Sequence, residues 1–272
     1  MTTWINGEAA AAIDSHDRGL QYGDGLFETM RAFHGSVRLI DYHLDRLLDG
    51  CERLAIAPPA RAMLQAEIEC AARSIGDGIV KLIVTRGSGG RGYRPAGGLQ
   101  PTRIVMTFAL PPQPIMLGKH GGVRVRIAQT MLARQPRLAG LKHLNRLEQV
   151  LAAAETDAER YAESLMRDDE EHIIDGTMMN LLCISGGELL TPELSQAGVA
   201  GVMRRFIREL ADGLAIPQRE TPLSRAQLDA ADEVFLCNAV RGIWPVIGIE
   251  DRHFATGPVT RQLQAALAER WP

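Results

Sequence analysis

The stretch "RLAGLKHLNRLEQVLAAAE", residues 137–155, sets a single lysine just before a segment with a strong apolar stripe. The stripe predicts a helix beginning near His143. The 272-residue chain carries 30 Lys plus Arg, yet only Lys81, Lys119 and Lys142 are lysine. Arginine holds a charge and forms ion pairs at least as well as lysine, but it is never deprotonated in a protein. It therefore cannot act as an amine nucleophile or base. A lysine kept in an arginine-dominated chain points to amine chemistry, Schiff-base formation with a carbonyl compound included. The alternative is a chance lysine capping the turn before the helix, and composition alone does not separate the two.

Hydrophobic residues make up 46% and charged residues 23%, an ordinary globular balance. The length suits one large domain or two modest ones with a substantial core. A net charge of -3, with no block of like charge, argues against nucleic acid or another polyanion as partner. No apolar run reaches the roughly 18 residues of a membrane span. The opening "MTTWINGEAAAAIDSHD" has no basic segment before an apolar core, unlike a secretory signal. Cys51, Cys70, Cys183 and Cys237 are scattered among apolar neighbours with no CxxC pair. They are expected to be buried free thiols in a reducing cytoplasm. The histidines show no HExxH-like spacing, so no metal site is expected.

Outward from the lysine, helix and strand signals alternate irregularly. "HLDRLLDGCERL" puts Leu44, Leu47, Leu48, Cys51 and Leu54 on one helical face, and "ARAMLQAEIECAARSIG" predicts a second helix ending near Gly76. "GIVKLIVTRG" and "TRIVMTFAL" predict strands around the Gly/Pro-rich "GSGGRGYRPAGGLQP". Three prolines followed by glycines in "PPQPIMLGKHGG" predict a linker, placed at 113–121, between domains over 1–112 and 122–272. Beyond it, "VRVRIAQ", "SLMRD", "HIID", "LLCIS", "ELLTP", "EVFLCNA" and "IWPVIGIE" predict strands. "GVMRRFIRELADGL" and "VTRQLQAALAERW" predict helices. The mixture predicts an α+β chain of two domains, a small N-terminal one and a larger C-terminal one.

"RGSGGRGY" has the glycines of a dinucleotide fingerprint, but that fingerprint opens a helix whose N-terminus meets the pyrophosphate. Here Pro95, more glycines and another strand follow, so a mobile loop between strands is the better reading. Its Arg91 and Tyr93 are candidates to reach a substrate. If Lys142 holds pyridoxal phosphate (PLP), a carboxylate for the ring nitrogen and a polar nest for the phosphate are also required. Asp175, in "HIIDGTMMN", is the candidate carboxylate. Gly198 and Gly201, in "AGVAGVMRRF", open a helix whose free N–H groups suit a phosphate, and Asn238 and Ala239 follow a strand. Each of these also has an ordinary structural reading.

Taken together, the motifs resemble the class IV aminotransferases, the fold-type IV PLP enzymes. The likeness runs through "WINGE", "DRGLQYGDGLFETMR", "HLDRL", "RGSGGRGY", "GLKHLNRLEQVLA", "AGVAGVMR" and "CNA", nearly the whole chain. "DRGLQYGDGLFET" is shared across the superfamily. "RGSGGRGY" and "LAGLKHLNRLEQVLA" are most similar to its 4-amino-4-deoxychorismate lyase branch. The resemblance implies that Lys142 is the Schiff-base lysine and that Arg46 contacts the cofactor phosphate. It implies backbone donors to that phosphate at Val202 and Met203, and a second phosphate loop at Asn238 and Ala239. The family normally has glutamate at the ring-nitrogen position; Asp175 stands there, one methylene shorter. A homodimer is implied, with each active site near the dimer interface. The expected reaction converts aminodeoxychorismate to 4-aminobenzoate and pyruvate. The alternatives are a D-amino-acid or branched-chain transaminase, a catalytically impaired PLP-binding paralogue, and a nucleotide-binding module using the Gly-rich loop.

Overall fold

Strands β1 (Thr3–Ile5) and β2 (Glu8–Ala9) precede a one-turn helix α1 (Arg18–Tyr22) and the long strand β3 (Gly25–Phe33). These come from a computed structural model that describes residues 2–10, 12–114, 117 and 120–270. Part of the expected linker, at 115, 116, 118 and 119, lies outside the described residues. Period-two alternation along β3 turns Leu26, Glu28, Met30 and Ala32 to the buried face. Strand β4 (Ser36–Val37) leads into helices α2 (Ile40–Arg53) and α3 (Arg61–Ile75). Strands β5 (Gly78–Thr85) and β6 (Thr102–Phe108) complete an antiparallel sheet in the order β2-β1-β6-β5-β3-β4. Leu44, Leu47 and Cys51 of α2 and Leu64 and Ile68 of α3 are buried in the same core as Met30, Val80 and Leu82.

The chain divides into two compact units, Met1–Pro111 with Leu141–Asn145, and Pro112–Gly140 with Arg146–Pro272. The returning segment belongs to the first unit because its backbone pairs with the start of β3. Phe27 N–H donates to the Lys142 carbonyl at 3.0 Å, and Leu144 N–H donates to the Gly25 carbonyl at 3.0 Å. Gly25 permits this approach: a Cβ there would meet the Val84 carbonyl at 2.6 Å and Leu144 Cδ1 at 2.9 Å. The helix expected from about His143 therefore starts later, as α4 (Leu147–Ala154). Backbone groups committed to a ladder with β3 are unavailable to an i→i−4 helix.

The second unit is a mixed sheet. It comprises β7 (Val123–Ile127), β8 (Glu163–Arg167), β9 (Ile173–Gly176), β10 (Asn180–Ser185) and β11 (Glu188–Pro192). Helix α5 (Val202–Gly213), β12 (Gln218–Thr221), a short α6 (Arg225–Asp229) and β13 (Glu233–Asn238) follow. The chain closes with β14 (Gly242–Ile249), β15 (Arg252–His253) and α7 (Pro258–Arg270). The strand order is β12-β11-β10-β13-β14-β7-β8-β9, with β15 beside β14. Nearly every residue of β8 to β11 and of β13 and β14 is buried, so these strands read as apolar runs rather than alternating ones. Among the described residues, no helix is long and apolar enough to cross a membrane.

All four cysteines are free. Burial pushes the Cys51 thiol up to about 11 and that of Cys183 up to about 12. Cys70 departs from the expectation of burial: it lies exposed on α3, on the face turned from the sheet.

Leu141, 2% exposed, is the apolar anchor of the returning segment. Leu141→Ala should lower the stability of the first unit by about 3 kcal/mol in urea unfolding, the cost of a buried leucine cavity. A loss below about 0.5 kcal/mol would show that the segment is not held by its packing.

Candidate functional site

In the first unit, the ladder with β3 fixes the backbone of Lys142, and its Nζ lies 4.3 Å from the centroid of the Phe27 ring. Lys142 is thus set on a bridged, extended segment beside β3, not in the turn before a helix.

Arg46 projects from α2 onto Glu28. Its Nε donates to Glu28 Oε1 at 2.8 Å and its Nη2 to Oε2 at 2.5 Å. His43, one turn earlier on α2, places Nδ1 2.6 Å from Glu28 Oε2. Glu28 and His43 are fully buried. Burial alone would raise the Glu28 carboxyl, but the Arg46 charge and the His43 hydrogen bond outweigh it and hold it at about 2. Burial pushes the His43 imidazole down, and the charges of Arg46 and Lys142 oppose a further positive charge there. His43 is accordingly neutral, donating from Nδ1, while Nε2 has no hydrogen-bond partner among the described residues. Arg46, read from sequence as a phosphate ligand, is therefore held in place by a carboxylate that the sequence reading missed.

In the second unit, Asp175 and Asn180 converge on the backbone of one residue, Val199. Asp175, 4% exposed on β9, accepts the Val199 N–H at Oδ2, 3.1 Å away. Asn180 donates Nδ2–H to the Val199 carbonyl at 2.8 Å. The loop is also paired to Gly140, whose N–H donates to the Gly198 carbonyl at 3.0 Å. This clamp delivers the chain to Gly201, the N-cap of α5, which supplies no side-chain acceptor to the first turn. A Cβ at Gly201 would lie 1.7 Å from Asn180 Oδ1, so only glycine fits between the asparagine and the helix. Arg204 secures the first turn of α5, donating to Thr191 Oγ1 at 2.9 Å and to the Pro192 carbonyl at 3.0 Å.

The turn after Asp175 is braced by Glu163. This buried carboxylate accepts from Thr177 N–H at 3.1 Å, Thr177 Oγ1–H at 2.5 Å and Met178 N–H at 3.2 Å. Burial, the largest influence, raises its carboxyl despite these donors. The Asn238 amide is engaged within its own turn. Its Oδ1 accepts from Val240 N–H at 3.0 Å and Arg241 N–H at 2.8 Å, and its Nδ2 donates to the Met178 carbonyl at 3.3 Å. It shapes the turn that carries Ala239.

Arg91 and Tyr93 are exposed on the loop between β5 and β6, outside the buried cluster around Glu28. That loop, expected from its glycines to be mobile, is anchored at several points. Its stems and tip are hydrogen-bonded to residues 16–24, because the buried side chains of Asp17 and Arg18 face it.

Taken within each unit by itself, these features are of the kinds that PLP requires. An uncapped helix start with its dipole suits a phosphate. A buried carboxylate suits a protonated ring nitrogen, and an amine on a fixed backbone suits the aldehyde. Among the described residues, no cluster of His, Cys, Asp or Glu is arranged to hold a metal.

A family model described as amino-transferase class IV matches residues 25–249. The chain belongs to the class IV aminotransferases. As in this PLP-dependent family, the fold is the two-domain α+β fold of fold-type IV enzymes. Among class IV relatives, aminodeoxychorismate lyase of Vibrio harveyi is 35% identical over 97% of this chain and 98% of its own. A putative branched-chain-amino-acid aminotransferase of Methanocaldococcus jannaschii is 31% identical over 97% of this chain and 94% of its own. The crystal structure of 4-amino-4-deoxychorismate lyase from Pseudomonas aeruginosa covers 98% of both chains, with a TM-score of 0.94 and 47% identity.

The depressed Glu28 carboxyl fixes a pH dependence. Its folded value lies below the ordinary 4.5, so its contribution to stability is complete above that pH and fades as pH falls towards 2. The full contribution is about 3 kcal/mol. Glu28→Gln should be less stable at pH 7 and should lose less further stability between pH 5 and 2 than the wild type. Parallel pH–stability curves for the two proteins would contradict this.

Proposed function

We propose that this chain is a PLP-dependent lyase that converts 4-amino-4-deoxychorismate to 4-aminobenzoate and pyruvate. The observation that carries the reading is the likeness to the Pseudomonas lyase over almost the full length of both chains. Lys142 is the Schiff-base residue. Arg46, Val202, Met203 and the Asn238–Ala239 turn serve the phosphate, and Asp175 serves the ring nitrogen. Domains over 1–112 and 122–272, joined by 113–121, are part of the same proposal.

PLP, when bound, supplies an aldehyde for the substrate amine and an electron sink. Lys142 Nζ takes the proton from the ring carbon that bears the substrate nitrogen. The carbon–oxygen bond to the enolpyruvyl group then breaks, the ring becomes aromatic, and Lys142 returns the proton to the departing group. Pyruvate leaves as its keto form. Glu28 holds the Arg46 guanidinium in a fixed pose. Asp175 offers the ring nitrogen a buried carboxylate held in place by the Val199 N–H. The substrate carries two carboxylates, for which the planar guanidinium of Arg91, with Tyr93 beside it, is the suited clamp.

The enzyme acts as a homodimer in the cytoplasm. Helix α4 turns Leu147, Val150 and Leu151 outward at 76%, 59% and 59% exposure, an apolar stripe that a second copy would cover.

The decisive assay is release of 4-aminobenzoate from aminodeoxychorismate. The wild type should release it, and Lys142→Ala should lose essentially all turnover. Asp175→Glu should keep or raise activity, and Asp175→Ala should lose most of it. Sustained keto-acid exchange with D-alanine or branched-chain amino acids, without aminobenzoate, would overturn the lyase reading in favour of a transaminase.

A further inference from the structure

The residues 86–101 that join β5 to β6 are rich in glycine, a composition that normally gives a wandering loop. Here two consecutive charged residues at the start of α1 hold it at both ends. Asp17 is fully buried, and its Oδ2 accepts from Thr85 Oγ1–H at 2.8 Å and Thr102 Oγ1–H at 2.7 Å. Those threonines are the last residue of β5 and the first of β6, so one carboxylate oxygen ties the two stems together. Its Oδ1 is occupied by the Gly19 N–H at 2.8 Å.

Arg18, 2% exposed, reaches the tip. Its Nη1 donates to the Gly92 carbonyl at 2.9 Å and its Nη2 to the Tyr93 carbonyl at 3.0 Å, while Nε donates to Asp24 Oδ2 at 2.9 Å. The guanidinium sits 4.6 Å from the Tyr22 ring centroid, and Tyr22 Oη accepts the Gly92 N–H at 3.1 Å. The rings of Tyr22 and Tyr93 meet edge to face at 5.8 Å. Asp24 also accepts from Arg86 Nε at 2.8 Å, and Arg86 in turn donates to the Leu54 and Ala55 carbonyls at the end of α2. A lysine in place of Arg18 would have no planar fork for two adjacent carbonyls.

We propose that Arg18 is a positioning residue, whose guanidinium presets the backbone at Gly92 and Tyr93 and so presents the side chains of Arg91 and Tyr93 to a substrate carboxylate. The loop is then a preformed clamp rather than a segment that orders on binding. This rests on the lyase reading and on Arg91 as its carboxylate partner. Substrate binding would otherwise have to order the tip. Losing Arg18 should therefore weaken substrate binding while leaving cofactor uptake alone. Arg18→Met leaves Asp24 paired with Arg86, so no buried carboxylate is stranded.

The test uses the PLP-loaded enzyme, with Arg18→Met, Arg91→Ala, the double variant and Tyr22→Phe. The readouts are kcat and KM for 4-aminobenzoate release, PLP uptake by absorbance, and amide hydrogen exchange over 87–93. Arg18→Met should raise KM on the order of 10- to 100-fold, from the ordering of a few residues. It should leave kcat within about twofold and PLP uptake unchanged, and the Gly92 amide should exchange faster. The double variant should be no worse than Arg91→Ala alone, the signature of two residues acting through one contact. Tyr22→Phe, which removes only the acceptor of the Gly92 N–H, should shift exchange and KM the same way by less, and it serves if Arg18→Met does not fold. Unchanged exchange and KM in both Arg18→Met and Tyr22→Phe would overturn the anchor. Additive losses in the double variant would overturn its action through Arg91. An Arg91→Ala enzyme with unaltered KM would overturn the substrate end of the proposal while the lyase reading stood. A wild type that releases no aminobenzoate would instead defeat the lyase reading, with loop exchange still judging the anchor.

Discussion

The hydrogen bonds from Phe27 N–H to the Lys142 carbonyl and from Leu144 N–H to the Gly25 carbonyl decide where the one chemically distinctive amine of this chain sits. They pull a five-residue return of the chain, Leu141–Asn145, into the first unit, although the sequence on both sides belongs to the second. A lysine on an ordinary surface turn samples many rotamers and keeps its full hydration. A lysine whose carbonyl is tied to β3 beside an isolated bridge, with Phe27 under its ammonium, is placed before any ligand arrives. Much of the first unit serves that placement. Gly25 leaves room for Leu144, and Leu141 fills the space beside Gly50 of α2.

The charge arrangement follows from the same constraint. Arg46 and Lys142 bring positive charge to a region that also contains a buried imidazole, and Glu28 is the carboxylate that makes this tolerable. It sits on the core face of β3 between Leu26 and Met30, where an apolar residue is the rule. A buried carboxylate without partners would be protonated; here a two-pronged arginine and a neutral histidine keep it ionised. The second unit uses the same economy. Asp175 and Asn180 hold the N–H and the carbonyl of Val199, and the chain emerges at Gly201, where a Cβ would collide with Asn180.

Features with a local cause were legible in the sequence. The apolar spacing of α2 and α3, the β-branched runs of β5 and β6, and the rarity of lysine at 142 all act within a few residues. What escaped depends on partners distant in the chain. Asp17 meets Thr85 and Thr102 across 68 and 85 positions, which nothing in "DRG" announces. Glu28 is visible in hindsight, because the alternation of Leu26, Met30 and Ala32 puts it on an apolar face where an ionic partner is obligatory. The start of α4 was misplaced because helical periodicity says nothing about a backbone already engaged by β3. The engagement of the Asn238 amide with its own turn and with the Met178 carbonyl is likewise invisible in "CNA".

Borohydride reduction of the PLP-loaded protein, followed by mass spectrometry of the peptides, tests the central claim most directly. The account predicts a yellow protein that becomes irreversibly labelled at Lys142, with Lys81 and Lys119 unmodified. A colourless protein that takes up no PLP, or a label on another lysine, would contradict it.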